Sequence, residues 1–472
     1  MNRQEKQGSP TTISRRRFLG GIMAGATFSV VPRHVLGGPG KVSPNEKTTL
    51  ACIGMGGQGH VNLFNFLDFD ELQVVAVCDV SREGGGYISW DWMQGKDQRL
   101  GGREPARRLV DAHYAKKYGA GSYKGCRAYA DYRELLEKED VDAVMVAVPD
   151  HSHAAITLAA IGRGKHVYCE KPLAYSVEEA RWVTEAARKA KVATQLGNQG
   201  QAKEDARVTQ EFILAGAIGG VREVHVGLNK RFWDPPTARP TDTPPVPEGL
   251  DWDLWLGPAP VRPYHPDYHP WRWRDWLDFG TGPLGDMGCH TLSTIFKALK
   301  LQHPIAIEGT CEGSFGPEIY PRRFRVRFDF PERDGMPPVS VTWHDEGFEP
   351  PKPKDLEPDR RVPGPIFIGD KGTLIGHRLV PESRMKEFGP PPKVLPRSQG
   401  QYKEWVDACR GGPPAGSDFV QHSGLLTETP LLGNIAMRVG KKIEWDGPNL
   451  KITNDAAANR WLRREYREGW SL

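Results

Sequence analysis

Short runs in this 472-residue chain carry side chains whose spacing suits chemistry. Gly54-Met55-Gly56-Gly57-Gln58-Gly59 is a G-x-G-x-x-G run directly after an apolar stretch, and Asp79 closes the next apolar stretch twenty residues beyond Gly59. Glycines at this spacing permit a tight turn and let backbone N–H groups approach a pyrophosphate, which the start of the following helix favours electrostatically. A carboxylate at Asp79 accepts both hydroxyls of a ribose and repels a 2'-phosphate. The pattern therefore points to a dinucleotide, NAD rather than NADP, with Arg82 leaving NADP open.

Lys171 stands in Glu170-Lys171-Pro172, where the proline keeps it out of helical geometry and fixes the exit from a strand, with a cis bond as one way of doing so. In a closed crevice beside a cationic nicotinamide the ammonium form would be disfavoured, which suits an acid/base; a solvated surface lysine is the ordinary alternative. Asp286 and His290 lie four residues apart in "GTGPLGDMGCHTLSTIFKAL" and share one helical face if the helix starts near Leu284. Such a pair can orient a substrate hydroxyl and relay its proton. It is equally compatible with a satisfied core histidine. As half of a metal site it lacks any suggested third ligand, so no metal is assigned.

These residues need elements to hold them. From Thr48 to Asn198 short apolar runs ("TTLACI", "LQVVAVC", "VDAVMVAV", "KHVYC", "KVATQLG", and a weaker one near "GCRAY") alternate with helical stretches, the pattern of a parallel sheet covered on both faces. Asp131-Tyr-Arg-Glu134 and Ser176-Val-Glu-Glu179 have capping-box spacing and mark two helix starts. Pro149-Asp150-His151-Ser152-His153, Glu170-Lys171-Pro172 and Asn198-Gln199 each follow a strand. Ligands of open α/β sheets bind at the carboxyl ends of strands, so these loops are expected to meet the glycine loop in one crevice. The long loop between Ser81 and Pro105 is expected beside the ligand.

After Gln199 the texture changes. "DARVTQEFILAGAIG" reads as a helix, "VREVHVGLN" as a strand, and "RRFRVRFDF" alternates strictly, with Phe324, Val326, Phe328 and Phe330 on one face. "PVSVTWH" and the hairpin-like "PIFIGDKGTLIGH" complete a second domain on a largely antiparallel sheet. Trp252, Trp255, Trp271, Trp273 and Trp276 are five of the fourteen tryptophans and cluster in one segment, which suits either stacking on sugar rings or packing of an interface. The expected domains are a leader and linker over 1–40, a nucleotide domain over 48–198, a substrate and oligomerisation domain over 199–445, and a C-terminal tail over 446–472 that reads as charged and helical from Asn454.

The leader has its own chemistry. Ser14-Arg15-Arg16-Arg17-Phe18-Leu19 precedes about fourteen residues, Phe18 to Val31, that are apolar or small; this is too short for a membrane span, which needs roughly 20 apolar residues. It resembles a twin-arginine export signal, which implies the twin-arginine machinery as a partner and a periplasmic destination for a protein exported already folded. A disordered basic tail is the plain alternative. Seven cysteines without a C-x-x-C pair are not a disulfide scaffold, and Cys52, Cys78 and Cys169 fall in apolar strands as buried thiols. A formal charge of +4, spread along the chain apart from the leader and "RRFRVR", argues against nucleic acid as a partner.

Together the glycine run, Glu170-Lys171-Pro172 and "GDMGCH" resemble the Gfo/Idh/MocA oxidoreductases, the glucose-fructose oxidoreductase and inositol dehydrogenase family. The resemblance implies an α/β protein with an N-terminal Rossmann dinucleotide-binding domain. It also implies a C-terminal α/β domain whose open sheet supports substrate and often forms the contact of a homo-oligomer. It implies Lys171 and His290 as acid/base residues with Asp286 beside them, and Pro149, His153 and Glu170 near the nicotinamide half of the cofactor. Ser293 departs from the pattern, since the family often has Asp there, which argues against simple transfer of inositol specificity. The reading is an NAD-dependent oxidoreductase of a sugar or cyclic polyol. Two others stand beside it: a glycosidase or epimerase that uses bound NAD transiently, and a non-catalytic sugar-binding protein on a Rossmann shell.

Overall fold

The apolar runs between Thr48 and Asn198 form six strands: β1 (Thr48–Ile53), β2 (Leu72–Cys78), β3 (Arg127–Tyr129), β4 (Ala143–Val146), β5 (His166–Cys169) and β6 (Thr194–Leu196). The computed structural model describes residues 46–471 apart from 89–99, 120–122, 124, 229–235, 314, 355 and 357–362, so the basic leader and its export signal lie outside the described residues, as does much of the long loop. The strands pair in the order β3-β2-β1-β4-β5-β6, every pair parallel. Continuous apolar runs are used because both faces are covered: Leu50, Ala51 and Cys52 in β1 are fully buried, under α1 (Gly57–Leu67), α2 (Arg103–Tyr118), α3 (Tyr132–Lys138), α4 (Asp150–Ile161) and α5 (Val177–Ala190). The strand order reverses between β1 and β4, which opens a crevice beyond their carboxyl ends.

Only one of the two capping boxes is complete. Ser176 accepts the Glu179 N–H, and Glu179 reaches back to the Ser176 N–H. At the other helix Asp131 caps by accepting the Arg133 N–H, but Glu134 turns away to pair with Lys138 one turn on, at 2.6 Å.

The second sheet has nine strands: β7 (Val221–Gly227), β8 (Ala306–Cys311), β9 (Phe324–Phe330), β10 (Val339–His344), β11 (Ile366–Gly369), β12 (Gly372–Ile375), β13 (Arg378–Val380), β14 (Ile443–Asp446) and β15 (Lys451–Ile452). Their order is β13-β12-β11-β7-β10-β9-β8-β14-β15, antiparallel except for β7 with β10. In β9 the alternation has the expected result, with the four apolar residues buried and Arg325 and Arg327 exposed. The buried face packs on α6 (Glu204–Leu214), α7 (Gly282–Ala298) and α8 (Gly424–Val439), and one apolar core runs from there to the parallel sheet.

The segment after Asn454 is not a regular helix. A short 3₁₀ helix spans Ala457–Leu462, and the chain then runs irregularly. The cause lies in its partners: Arg464 and Tyr466, two residues apart, both donate to the Glu179 carboxylate, at 2.9 and 2.7 Å, which an extended chain allows and a helix does not. Glu179 thus holds a helix start and this segment together while fully buried. Replacing it with alanine strands the buried Arg464 and is expected to cost about 3 kcal/mol, read as a lower urea midpoint; an unchanged midpoint would contradict this account of the packing.

Candidate functional site

The glycine loop shows why its residue types are needed. Gly54 leaves β1 with φ +86°, and a Cβ there would stand 2.3 Å from the Ala147 carbonyl oxygen beyond β4. Gly59, in the first turn of α1, would place a Cβ 1.8 Å from the Gly54 carbonyl oxygen. Only glycine at both positions lets the helix start against the strand end, where its first N–H groups have no intrahelical partner and face the crevice. Asp79 ends β2 alongside: its Oδ2 accepts the Met55 N–H at 2.6 Å and its Oδ1 the Ser81 N–H at 2.7 Å. One acceptor position per oxygen is spent on fixing the carboxylate, and the remaining lone pairs are available to ribose hydroxyls. Burial raises its pKa from 3.8 to about 6, with the two N–H donors pulling the other way.

A cavity of about 370 Å³ runs from this loop across the sheet end. Gly54, Gly56 and Asp79 line one part and Lys171, Asp286 and His290 another, so the separate sequence motifs share one space. The cavity fits an extended dinucleotide: helix N–H groups for a pyrophosphate, a carboxylate for a ribose, and mainly apolar walls.

At the far end, Lys171 Nζ donates to Asp286 Oδ1 at 2.7 Å, with side chains only 14% and 6% exposed. The Lys171–Pro172 bond is cis. Arg274 donates its Nε–H to the same Oδ1 at 3.2 Å, its guanidinium lying over Trp271 at 3.8 Å and Trp273 at 4.3 Å. Burial by itself would raise the Asp286 pKa, but the charges of Lys171 and Arg274 outweigh it and hold the carboxyl down at about 2. His290 goes the other way. Withdrawal from solvent, reinforced by the Lys171 charge, lowers it to about 3, so the ring is neutral near pH 7. Neither of its ring nitrogens is hydrogen-bonded among the described residues.

Glu170 is raised to about 7 by burial, against the opposing effects of Lys171 and the Asn62 amide, which donates to it at 3.0 Å. A Cβ at Gly197 would collide with this carboxylate at 2.4 Å, which accounts for the glycine before Asn198.

Several expected positions differ. The helix bearing Asp286 and His290 starts at Gly282, not near Leu284, because Asp150 accepts both the N–H and the O–H of its N-cap Thr281, at 3.0 and 2.6 Å. Pro149, Gln58 and Gly57 do line the cavity, as does Glu170. Met55, Gly59, Arg82, His153 and Asn198 do not. Met55 contributes its N–H to Asp79 while its side chain is buried. Arg82 is exposed, its N–H bonded to the Gly249 carbonyl. His153 Nδ1–H bonds the Pro172 carbonyl at 2.5 Å and so braces the Lys171 turn, and Asn198 donates to the Cys289 carbonyl of α7 at 3.3 Å. Ser293 is fully buried, 2.8 Å from His422, away from the cavity.

Sequence reasoning missed other lining residues. Arg274 had a signal, since Trp271-Arg-Trp-Arg274 alternates stacking partners with cations. The tryptophan segment does two jobs: Trp252, Trp255, Trp273 and Trp276 pack a small core with Tyr268 and Phe279, and Trp255, Trp271 and Trp273 also line the cavity. As expected for the long loop, its described part reaches the cavity through Tyr87 and Ile88, with Tyr87 lying 3.2 Å from His269. Trp470 also lines it, and nothing in its local sequence marked it.

Residues 92–198 match the NAD-binding Rossmann model of the Gfo/Idh/MocA oxidoreductase family, and residues 203–314 match that family's C-terminal α/β domain. Over 138 residues the chain is 36% identical to the 1,5-anhydro-D-fructose reductase of Ensifer adhaerens, covering 29% of this chain and 40% of that protein. Over 146 residues it is 31% identical to the inositol 2-dehydrogenase of Rubrobacter xylanophilus, covering 30% of this chain and 42% of that protein. The chain thus spans less than half the length of these curated relatives. Among solved structures, the WlbA dehydrogenase of Bordetella pertussis in complex with NADH and UDP-GlcNAcA superposes with a TM-score of 0.55 at 15% identity, covering 85% of this chain and 99% of that one. GenD2 from gentamicin A biosynthesis in complex with NAD gives 0.52 at 17% identity, covering 89% of this chain and 100% of that one. At such identity the likeness is one of fold.

The Asp79 environment makes a prediction with two signs. Because its pKa is higher folded than unfolded, the folded state holds the extra proton, so this carboxyl favours folding most below 3.8 and loses that contribution as pH rises through about 6. Cofactor binding runs oppositely, since the charged form accepts both ribose hydroxyls. Calorimetric titration of NAD is expected to show affinity falling below about pH 6 in the wild type and flat in Asp79→Asn; parallel pH profiles would contradict this.

Proposed function

We propose that the chain is a Gfo/Idh/MocA-type, NAD-dependent oxidoreductase acting on a hydroxyl of a sugar or cyclic polyol. The observation that carries the reading is the Lys171–Asp286 ion pair, with His290 beside it, in the same cavity as the glycine loop and Asp79. A bound nicotinamide supplies the hydride acceptor or donor. In the oxidising direction a carbinol carbon loses a hydride and its hydroxyl a proton, leaving a carbonyl.

The protein's part is to bind, orient and move that proton. His290, neutral and with open ring nitrogens, can take it; Lys171, held by Asp286, can hydrogen-bond the same oxygen and exchange its own proton with it. Arg274 fixes Asp286, so the carboxylate stays charged whether or not substrate is present. Trp255, Trp271 and Trp273 add aromatic wall to the cavity against which the apolar face of a sugar ring can rest, with Arg274 lying over the latter two.

The reading extends to location and assembly. Ser14–Leu19 supports export of the folded chain by the twin-arginine route, with its dinucleotide loaded beforehand, and the nine-stranded sheet is the surface through which copies would pair.

The test is to incubate cofactor-loaded protein with a panel of sugars and cyclic polyols and follow the absorbance of reduced nicotinamide. At least one substrate is expected to turn over, with Lys171→Ala and His290→Ala each slower by about 10²-fold or more. Silence across the panel, or an unchanged rate in Lys171→Ala, would overturn the reading.

A further inference from the structure

The chain from Arg463 to Ser471 takes no part in the chemistry above, yet it runs back over the parallel-sheet half of the molecule. Arg464 and Tyr466 are tied to Glu179, and Arg464 also donates to the His151 carbonyl. Arg467 bonds the Asp253 carboxylate and the Gly257 carbonyl, each at 2.5 Å. The Trp470 N–H returns to the Arg467 carbonyl at 3.1 Å, so the anchored segment dictates where the indole lies.

That place is the cavity wall beside Ala130, Asp131 and Tyr132, just beyond β3. The indole centroid is 6.5 Å from the Tyr132 ring and 4.8 Å from the Arg133 guanidinium. In the strand order, β3 flanks β2, whose end carries Asp79, while Lys171 follows β5 on the opposite side of the switch point. The Asp79 N–H bonds the Tyr129 carbonyl at 3.1 Å, which joins the two strand ends directly. Trp470 therefore stands at the ribose-binding end of the cavity, remote from the acid/base group.

We propose that Trp470 is a wall of the adenine pocket and that residues 463–471 form a strap retaining the dinucleotide; this rests on the cofactor reading above. The chemistry at this position fits a flat base better than a phosphate. The Arg133 cation is already engaged by the Asp131 carboxylate at 2.7 Å, and although the Arg133 and Arg467 guanidiniums lie over the Trp470 ring at 4.8 and 5.6 Å, the wall here is mainly aromatic and apolar, with Trp470, Tyr132, Ile156 and Leu254 all lining the cavity. Base-on-indole stacking is insensitive to the nicotinamide end.

The experiment is calorimetric titration of cofactor-stripped, full-length protein with NAD, ADP-ribose and nicotinamide mononucleotide, together with stopped-flow NAD release. Trp470→Ala is expected to weaken NAD and ADP-ribose alike by about tenfold or more, mainly through faster release, and to leave nicotinamide mononucleotide unchanged. Trp470→Phe is expected to restore most of the loss, and Arg467→Ala, which frees the strap but keeps the indole, to speed release in the same direction. Unchanged ADP-ribose affinity in Trp470→Ala would overturn the proposal, as would equal weakening of all three ligands, the mark of a general structural fault. Wild-type protein that binds none of the three would instead overturn the cofactor reading itself, and the strap with it.

Discussion

A buried ion pair joins the two halves of this protein. Lys171 leaves β5 of the parallel sheet, Asp286 sits on α7 beneath the nine-stranded sheet, and they meet at 2.7 Å with little exposure. Neither charge could be withdrawn from water alone, and removing one partner of such a pair typically costs about 3–5 kcal/mol. The surroundings are organised to make the meeting possible. His153 braces the Pro172 carbonyl on one side, Asp150 pins the start of α7 on the other, and Arg274 supplies a second cation to Asp286. The ion pair and the Asp150–Thr281 contact each join residues more than a hundred positions apart, so the site is placed by tertiary contacts.

The same constraint sorts the titratable groups. Four carboxyls stand at or near this crevice in comparable burial, yet Asp286, with Lys171 and Arg274 against it, sits at about 2, while Asp79, Asp150 and Glu170 are raised by burial to about 6, 7 and 7. His290, withdrawn from solvent and in the field of Lys171, is pushed down to about 3. A carboxylate kept charged beside an imidazole kept neutral near pH 7 suits a division of labour, one holding the lysine and the other able to accept a proton.

The sequence made legible whatever depends on local pattern or on a single steric need. The parallel strands, the one-face-buried β9, the hairpin of β11 and β12, and the glycine loop all follow from periodicity or from positions such as Gly54 and Gly59 where a Cβ cannot fit. Convergence of the strand-end motifs followed from topology. Harder to read were residues whose role is set by a partner distant in the chain. Glu134 abandons its capping box for Lys138, Asn198 and His153 serve as braces rather than as cavity wall, and Trp470 reaches the cavity only because Arg464, Tyr466 and Arg467 find partners more than two hundred residues away. The segment after Asn454 looks helical by composition because composition does not reveal that Arg464 and Tyr466 share one carboxylate.

The central claim is spatial: the dinucleotide cradle and the Lys171–Asp286–His290 group serve one reaction in one cavity. A crystal structure of the protein with NAD tests it most directly. The account places the pyrophosphate at the start of α1 and the nicotinamide C4 facing a space bounded by Lys171 and His290, close enough that a substrate carbon about 3–3.5 Å from C4 would have its hydroxyl within reach of both. A nicotinamide ring turned away from that group, or a dinucleotide bound with its adenine end there, would contradict it.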